Sequence, residues 1–198
     1  MRTGHDLAEQ AEELIERISR GDRDALVHLF EQNRTSLLSF IRAMTSDHGL
    51  AEEILQDTLY AVWTGAGAFG RASSGRTWLF GIARRRARDQ LRKRAGPIVG
   101  LQALETLPSR DPEPDDQMFA NERSDTLARL IGELAPAHKE ALILTFIQGF
   151  SYQETADVLG VPIGTVKSRL FGAKRALRGL LDQSDRALRP TRPEESRQ

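Results

Sequence analysis

The chain contains no cysteine, which excludes disulfides, thiolate zinc sites and cysteine-based redox sensing within it. Histidine is scarce as well. His5, His28, His48 and His138 are scattered without metal-ligand spacing, so neither a metal centre nor a cofactor is expected. No apolar run approaches the roughly 20 residues of a membrane helix. Met1 to Gln10 carry no apolar core behind positive charge and no cleavage-like site. The expectation is a cytoplasmic protein with no direct membrane insertion. A phosphate-cradling glycine loop is missing too, and neither Ser151 nor the histidines sit in a nucleophile motif. No catalytic residue and no small-molecule substrate are therefore expected, and the protein is not read as an enzyme.

The 198 residues are 39% hydrophobic and 28% charged, which suits a soluble globular protein of one ordinary domain or two small ones. Net charge is zero, but the sum conceals segregation. Asp6 to Asp57 hold twelve acids and five bases, whereas Arg71 to Arg94 hold nine bases and the single acid Asp89. Glu105 to Asp125 return to seven acids and two bases, and Gly164 to Leu181 have five bases and no acid. Two basic blocks alternating with two acidic ones fit a chain that touches DNA at two places and protein at others.

Sustained period-two alternation is absent, and apolar residues recur at spacings of three and four, which predicts an all-α fold. Leu7, Ala11, Leu14, Ile15 and Ile18 form one stripe, closed by Gly21. Leu26, Leu29, Phe30, Leu37, Leu38 and Ile41 mark a second helical region, and a third runs from about Leu50 to Trp63. Thr64 to Gly75, rich in glycine and serine, reads as a loop. Helix resumes near Thr77 and continues to about Arg94, with Trp78, Leu79, Ile82 and Leu91 as its buried stripe. Residues 95–120, with Pro97, Pro108, Pro112, Pro114 and an acidic run from Asp111, have the composition of a flexible acidic linker. The expected organisation is two small helical domains, residues 1–94 and 121–183, with a frayed tail at 184–198. In the second domain Leu127, Leu130, Ile131 and Leu134 read as a helix ended by Pro136, followed by Ala141 to Leu144 and a break at Gly149.

Ser151-Tyr152-Gln153-Glu154 is a capping box that starts a helix. Gly160-Val161-Pro162 stops it, and a second helix begins at Gly164. Helix, tight turn and helix are the arrangement that lays a recognition helix in the major groove. Val166, Leu170, Ala173, Leu177 and Leu181 are expected to face the core, leaving Lys167, Phe171, Lys174, Arg175 and Arg178 outward. Beside Thr165 and Ser168 such a stripe can satisfy phosphates and reach base edges. In the first domain Glu52, Glu53, Gln56 and Asp57 crowd adjoining faces of one helix, where like charges four apart are mildly unfavourable. The run from Thr77 to Arg94 combines aromatics with a dense arginine series able to bind phosphate and unpaired bases.

Three segments together carry a family likeness: Ala51-Glu-Glu-Ile-Leu-Gln-Asp57 with Val62-Trp63, Trp78-Leu-Phe-Gly-Ile-Ala-Arg84 with Asp89, and Gly149-Phe-Ser-Tyr-Gln-Glu-Thr-Ala156 running into Leu159-Gly-Val-Pro-Ile-Gly-Thr-Val-Lys-Ser-Arg169. In this order the chain resembles the extracytoplasmic-function sigma factors, the small two-domain members of the sigma-70 family. The resemblance implies an alternative sigma factor whose partners are core RNA polymerase, promoter DNA and an anti-sigma factor. It implies that Glu52, Glu53, Gln56 and Asp57 dock on the polymerase clamp helices. It further implies that Phe69, Arg76, Arg84, Arg85, Arg88 and Arg92 serve the minus-ten element and its melting, and that the linker runs toward the RNA exit path. Tyr152, Thr165, Lys167, Ser168, Arg169, Phe171, Lys174 and Arg175 would serve the minus-thirty-five element. Arg85 and Gly172 stand where the family often has asparagine and arginine. The competing expectation is a conventional helix-turn-helix regulator that binds operator DNA without polymerase.

Overall fold

The structure, a computed structural model, describes residues 4–45, 47–95, 127 and 129–187. The proposed linker lies outside them apart from Ala95; of the proposed tail, residues 184–187 continue the last helix and the remainder lies outside the described residues. The described residues form α1 (Gly4–Ser19), α2 (Arg23–Thr45), α3 (His48–Gly65), α4 (Gly75–Ala95), α5 (Pro136–Leu142), α6 (Tyr152–Leu159) and α7 (Ile163–Ala187), with no strand among them. A short 3-10 turn, Ala66–Ala68, follows α3, and a π-helical turn, Ile143–Ile147, follows α5.

Helices α1 to α4 make the first lobe. Ala11, Leu14, Ile15 and Ile18 from α1 meet Leu29, Leu37 and Ile41 from α2 and Leu50, Ile54 and Val62 from α3. The apolar spacing thus buries the stripes it predicts; Leu7's side chain lies outside the described set. Asp22 and Asp47 start α2 and α3 by accepting the amides of Ala25 and Leu50, 3.0 and 2.9 Å away. Those amide hydrogen bonds, more than Arg17 or Arg94 nearby, hold both carboxyls below the usual aspartate range.

The second lobe contains α5 to α7 and the helical residues 129–132 before them. Here the structure corrects the expected role of Pro136. The preceding helix stops at residue 132, and Pro136 opens α5, where its missing N–H and fixed φ suit a first turn. A second correction concerns α4. Its most buried apolar side chains are Leu79, Phe80, Ala83 and Ala87, whereas Trp78, Ile82 and Leu91 are only half-buried. The cause is burial on two sides: α4 packs on α1 to α3 and also on α6 of the second lobe.

That second contact joins the lobes through one core. Phe80 lies 5.5 Å from Phe40 of α2 and 5.0 Å, edge-on, from Phe150 just before α6. All three rings are buried.

Candidate nucleic-acid interface

In the second lobe the reciprocal cap forms as the sequence predicts. The Glu154 amide donates to Ser151 Oγ at 3.2 Å, and the Ser151 amide donates to Glu154 Oε2 at 2.9 Å. Helix α6 ends at Gly160, whose φ of +60° is left-handed and favours a residue without Cβ. The Val161 amide closes back on the Ala156 carbonyl, and Pro162 accepts the Thr165 amide at the start of α7. Thr155, Ala156, Val158 and Leu159 of α6 are buried with Val166, Leu170 and Ala173 of α7, which fixes how the two helices cross.

The opposite face of α7 is solvent-facing. Lys167, Ser168, Phe171, Lys174, Arg175 and Arg178 are exposed, while Thr165 and Arg169 are half-buried. The Ser168 hydroxyl donates to the Thr165 carbonyl at 2.9 Å. Tyr152, Lys167, Phe171, Lys174 and Arg178 line one open groove of about 890 Å³ together with Leu142 and Phe146. Thr165, Ser168, Arg169 and Arg175 are not part of its lining. Leu177 and Leu181 correct the expected core stripe: Leu177 is half-buried, Leu181 is 44% exposed, and both line the groove, because the buried side of α7 ends at Ala173. Exposed Phe146 and the groove itself carry no sequence signal, since Phe146 stands in an apolar run with no base beside it.

In the first lobe the α4 arginines expected at the minus-ten element divide into two groups. Arg85 and Arg92 are exposed and Arg88 is half-buried; Arg92 pairs with Asp89 at 2.9 Å. Phe69 leans on Trp78 with ring centroids 5.3 Å apart. Arg76 and Arg84, by contrast, turn toward the second lobe. The Arg76 guanidinium stacks 4.3 Å from the Phe150 ring centre and 5.2 Å from that of Phe80. Burial pushes it below the ordinary arginine range, opposed by the charge of Glu154. Arg84 Nε donates to Glu140 Oε2 at 2.7 Å, with both side chains only 12% exposed.

The carboxylate cluster on α3 stays at the surface but finds partners inside the chain. Arg94 donates to Asp47 and Glu53 at 3.0 and 3.3 Å, and Gln90 donates to Asp57 at 2.8 Å. Arg34 lies 3.6 Å from Glu52. The like-charge spacing is thus offset by the basic end of α4. Exposed pairs of this kind contribute at most about 1 kcal/mol each, so the cluster remains open to a stronger partner. Gln56 is exposed beside it. Among the described residues no helix is long and apolar enough to cross a membrane.

Comparison with known proteins matches residues 29–96 to the model for sigma-70 region 2 and residues 124–177 to that for sigma-70 region 4. The chain is 30% identical to the RNA polymerase sigma-H factor of Pseudomonas aeruginosa, over 92% of its own length and 95% of the relative's. It is 31% identical to the ECF RNA polymerase sigma factor SigL of Mycobacterium tuberculosis, over 78% of this chain and 88% of that one. Among solved structures, the sigma factor RpoE of Bartonella quintana, in complex with the anti-sigma factor NepR, matches with a TM-score of 0.60 and 30% identity. That match covers 77% of this chain and 94% of the other.

Proposed function

Because the chain belongs to the extracytoplasmic-function sigma factors of the sigma-70 family, we propose that it binds core RNA polymerase in the cytoplasm, directs it to promoter DNA and promotes melting without catalysing a reaction. The observation that carries this reading is that one chain holds a capped helix-turn-helix with a basic outward face and, separately, an arginine-rich helix beside an exposed carboxylate patch.

Each surface has a role that its chemistry supports. The outward residues of α7, Thr165, Lys167, Ser168, Arg169, Phe171, Lys174 and Arg175, with Tyr152 of α6, face duplex DNA at the minus-thirty-five element, the cations on phosphates and the shorter polar groups at base edges. Phe69 and the outward α4 arginines Arg85, Arg88 and Arg92 serve the minus-ten element, whereas Arg76 and Arg84, expected there as well, are engaged by the second lobe. At that element, binding to the exposed strand offsets an unstacking cost of a few kcal/mol per base. Glu52, Glu53, Gln56 and Asp57 meet a basic polymerase surface. The groove beside α7, apolar within and edged by Lys167, Lys174 and Arg178, suits an acidic amphipathic segment of an anti-sigma factor; the Bartonella quintana relative was solved with such a partner.

Run-off transcription with purified core polymerase on a genomic promoter library tests the reading. Discrete start sites are expected that require this protein and vanish with the double substitution Glu53→Lys, Asp57→Lys, while circular dichroism shows the variant folded. Tight operator-like binding by the protein alone, with no core-dependent initiation, would instead establish a conventional regulator.

A further inference from the structure

The segment between α3 and α4 is fastened to α1 at two points. Arg71, in the middle of it, has a φ of +53° and is the one non-glycine residue with positive φ among the described residues; that left-handed region is uncommon for a residue with a Cβ. Its guanidinium donates to Glu16 of α1 at 2.7 Å, a partner 55 residues away. Gly75 is buried against the same helix, where a Cβ would stand 3.0 Å from the Glu12 amide nitrogen and 3.1 Å from the Ala11 carbonyl carbon. Ser74 accepts the Thr77 amide at 3.2 Å at the start of α4, and Phe69, two residues before Arg71, rests on Trp78. We propose that Arg71 is a positioning residue for promoter opening: its pairing with Glu16 holds residues 69–75 on α1 and so sets how Phe69 is presented to the minus-ten strand. The proposal rests on the sigma-factor reading given above.

An exposed arginine in this segment has two roles open to it: a phosphate contact through its own charge, or support of the backbone through a partner. The geometry favours support. A carboxylate already occupies the guanidinium that a phosphate would need, and it comes from a helix to which no DNA contact is assigned. Glu16 is itself steadied by Arg20 one turn further along α1. A left-handed conformation at a long side chain persists where the surroundings hold it, and the ion pair to Glu16 is the hold that this side chain makes. Helix α1 also packs on the Ala66–Ala68 turn, so it supports the segment at its beginning, through Arg71 at its middle and through Gly75 at its end. It precedes residues 29–96, the stretch matched to region 2. The tether therefore reaches the minus-ten segment from outside that stretch.

The test measures initiation by the full chain with core polymerase on promoters whose minus-ten and minus-thirty-five elements are randomised in turn. Glu16→Arg keeps the Arg71 charge but sets a cation against it, Arg71→Glu removes the cation, and the exchange Glu16→Arg, Arg71→Glu rebuilds the pair in the opposite sense. Each single reversal should lower initiation about fivefold or more, the factor that losing and reversing an exposed ion pair can supply. It should also flatten base preference at the minus-ten element while the minus-thirty-five preference stays that of the wild type. The exchange should restore both. Arg71→Gly accepts the positive φ but has no guanidinium; it should lose minus-ten preference as the reversals do, and it decides where a reversal folds poorly by circular dichroism. Arg20→Ala, which removes the other partner of Glu16, should match the wild type. An exchange no better than Arg71→Glu would mark a direct phosphate contact and overturn the proposal. So would wild-type behaviour of Glu16→Arg or Arg71→Gly, or preference lost equally at both elements. Absence of initiation by the wild type with core would instead count against the sigma reading.

Discussion

Lys139 sits on α5 with only 8% of its surface exposed, and no ion pair reaches it among the described residues. Burial lowers its ammonium below the ordinary value of 10.5. A cation with a lowered folded pKa is bound to fewer protons when folded, so stability rises with pH until the unfolded value is passed. Thermal scans taken from neutral pH up toward 10.5 should show that rise in the wild type and its loss in Lys139→Met. The substitution should also raise the melting temperature at neutral pH. Gly172 shows a different residue-scale constraint. A Cβ there would stand 2.6 Å from His138 Nε2, so the position where the family often carries arginine is here occupied by the close crossing of α5 and α7. Gly172→Ala alone sets a helix-propensity gain of up to about 1 kcal/mol against that clash. In a His138→Ala background the gain should appear in full, and urea unfolding of the four chains of the cycle measures the coupling. The sequence could not show this, because the partner of Gly172 lies on another helix.

At the scale of elements, starts were more legible than faces. Ser151 and Glu154 satisfy each other's backbone amides within four residues, so the cap of α6 could be read directly. Asp22 and Asp47 act the same way for α2 and α3, and their lowered acidity carries a pH signature. A depressed carboxyl contributes stability that is present above the ordinary aspartate value of 3.8 and is lost as pH falls through the folded value. Replacing both by asparagine, which still caps but does not titrate, should leave neutral-pH stability nearly unchanged and flatten the acid limb of the unfolding curve below about pH 4. The face of α4 was harder. Its apolar spacing marks Leu79 as core but not Phe80, Ala83 or Ala87, since a helix buried on two sides has no single apolar stripe.

At the scale of the molecule, the two lobes share a core through Phe40, Phe80 and Phe150. Unfolding should therefore be one cooperative transition. Phe150→Ala removes the ring that meets both Phe80 and the Arg76 guanidinium, at a cost of about 3–5 kcal/mol. Calorimetry should then resolve two transitions, one per lobe, where the wild type gives one. A single undivided transition in the variant would mean that the lobes are coupled by something other than this seam.

The amino-acid sequence by itself determined the helices, the helix-turn-helix with its cap and basic face, the order of charged blocks and the family. These are local: each depends on residues within a few turns of one another, and periodicity, capping and charge are written along the chain. Only the tertiary structure decided that the lobes close on each other, that Arg76 and Arg84 face protein, and that Arg94 and Gln90 answer the carboxylates of α3. Arg84 and Glu140 stand 56 residues apart, and Arg76 reaches Gln148 across 72. Outward arginines on one helix look alike in sequence, and which of them meets water or a buried carboxylate is fixed only when the second lobe is set in place.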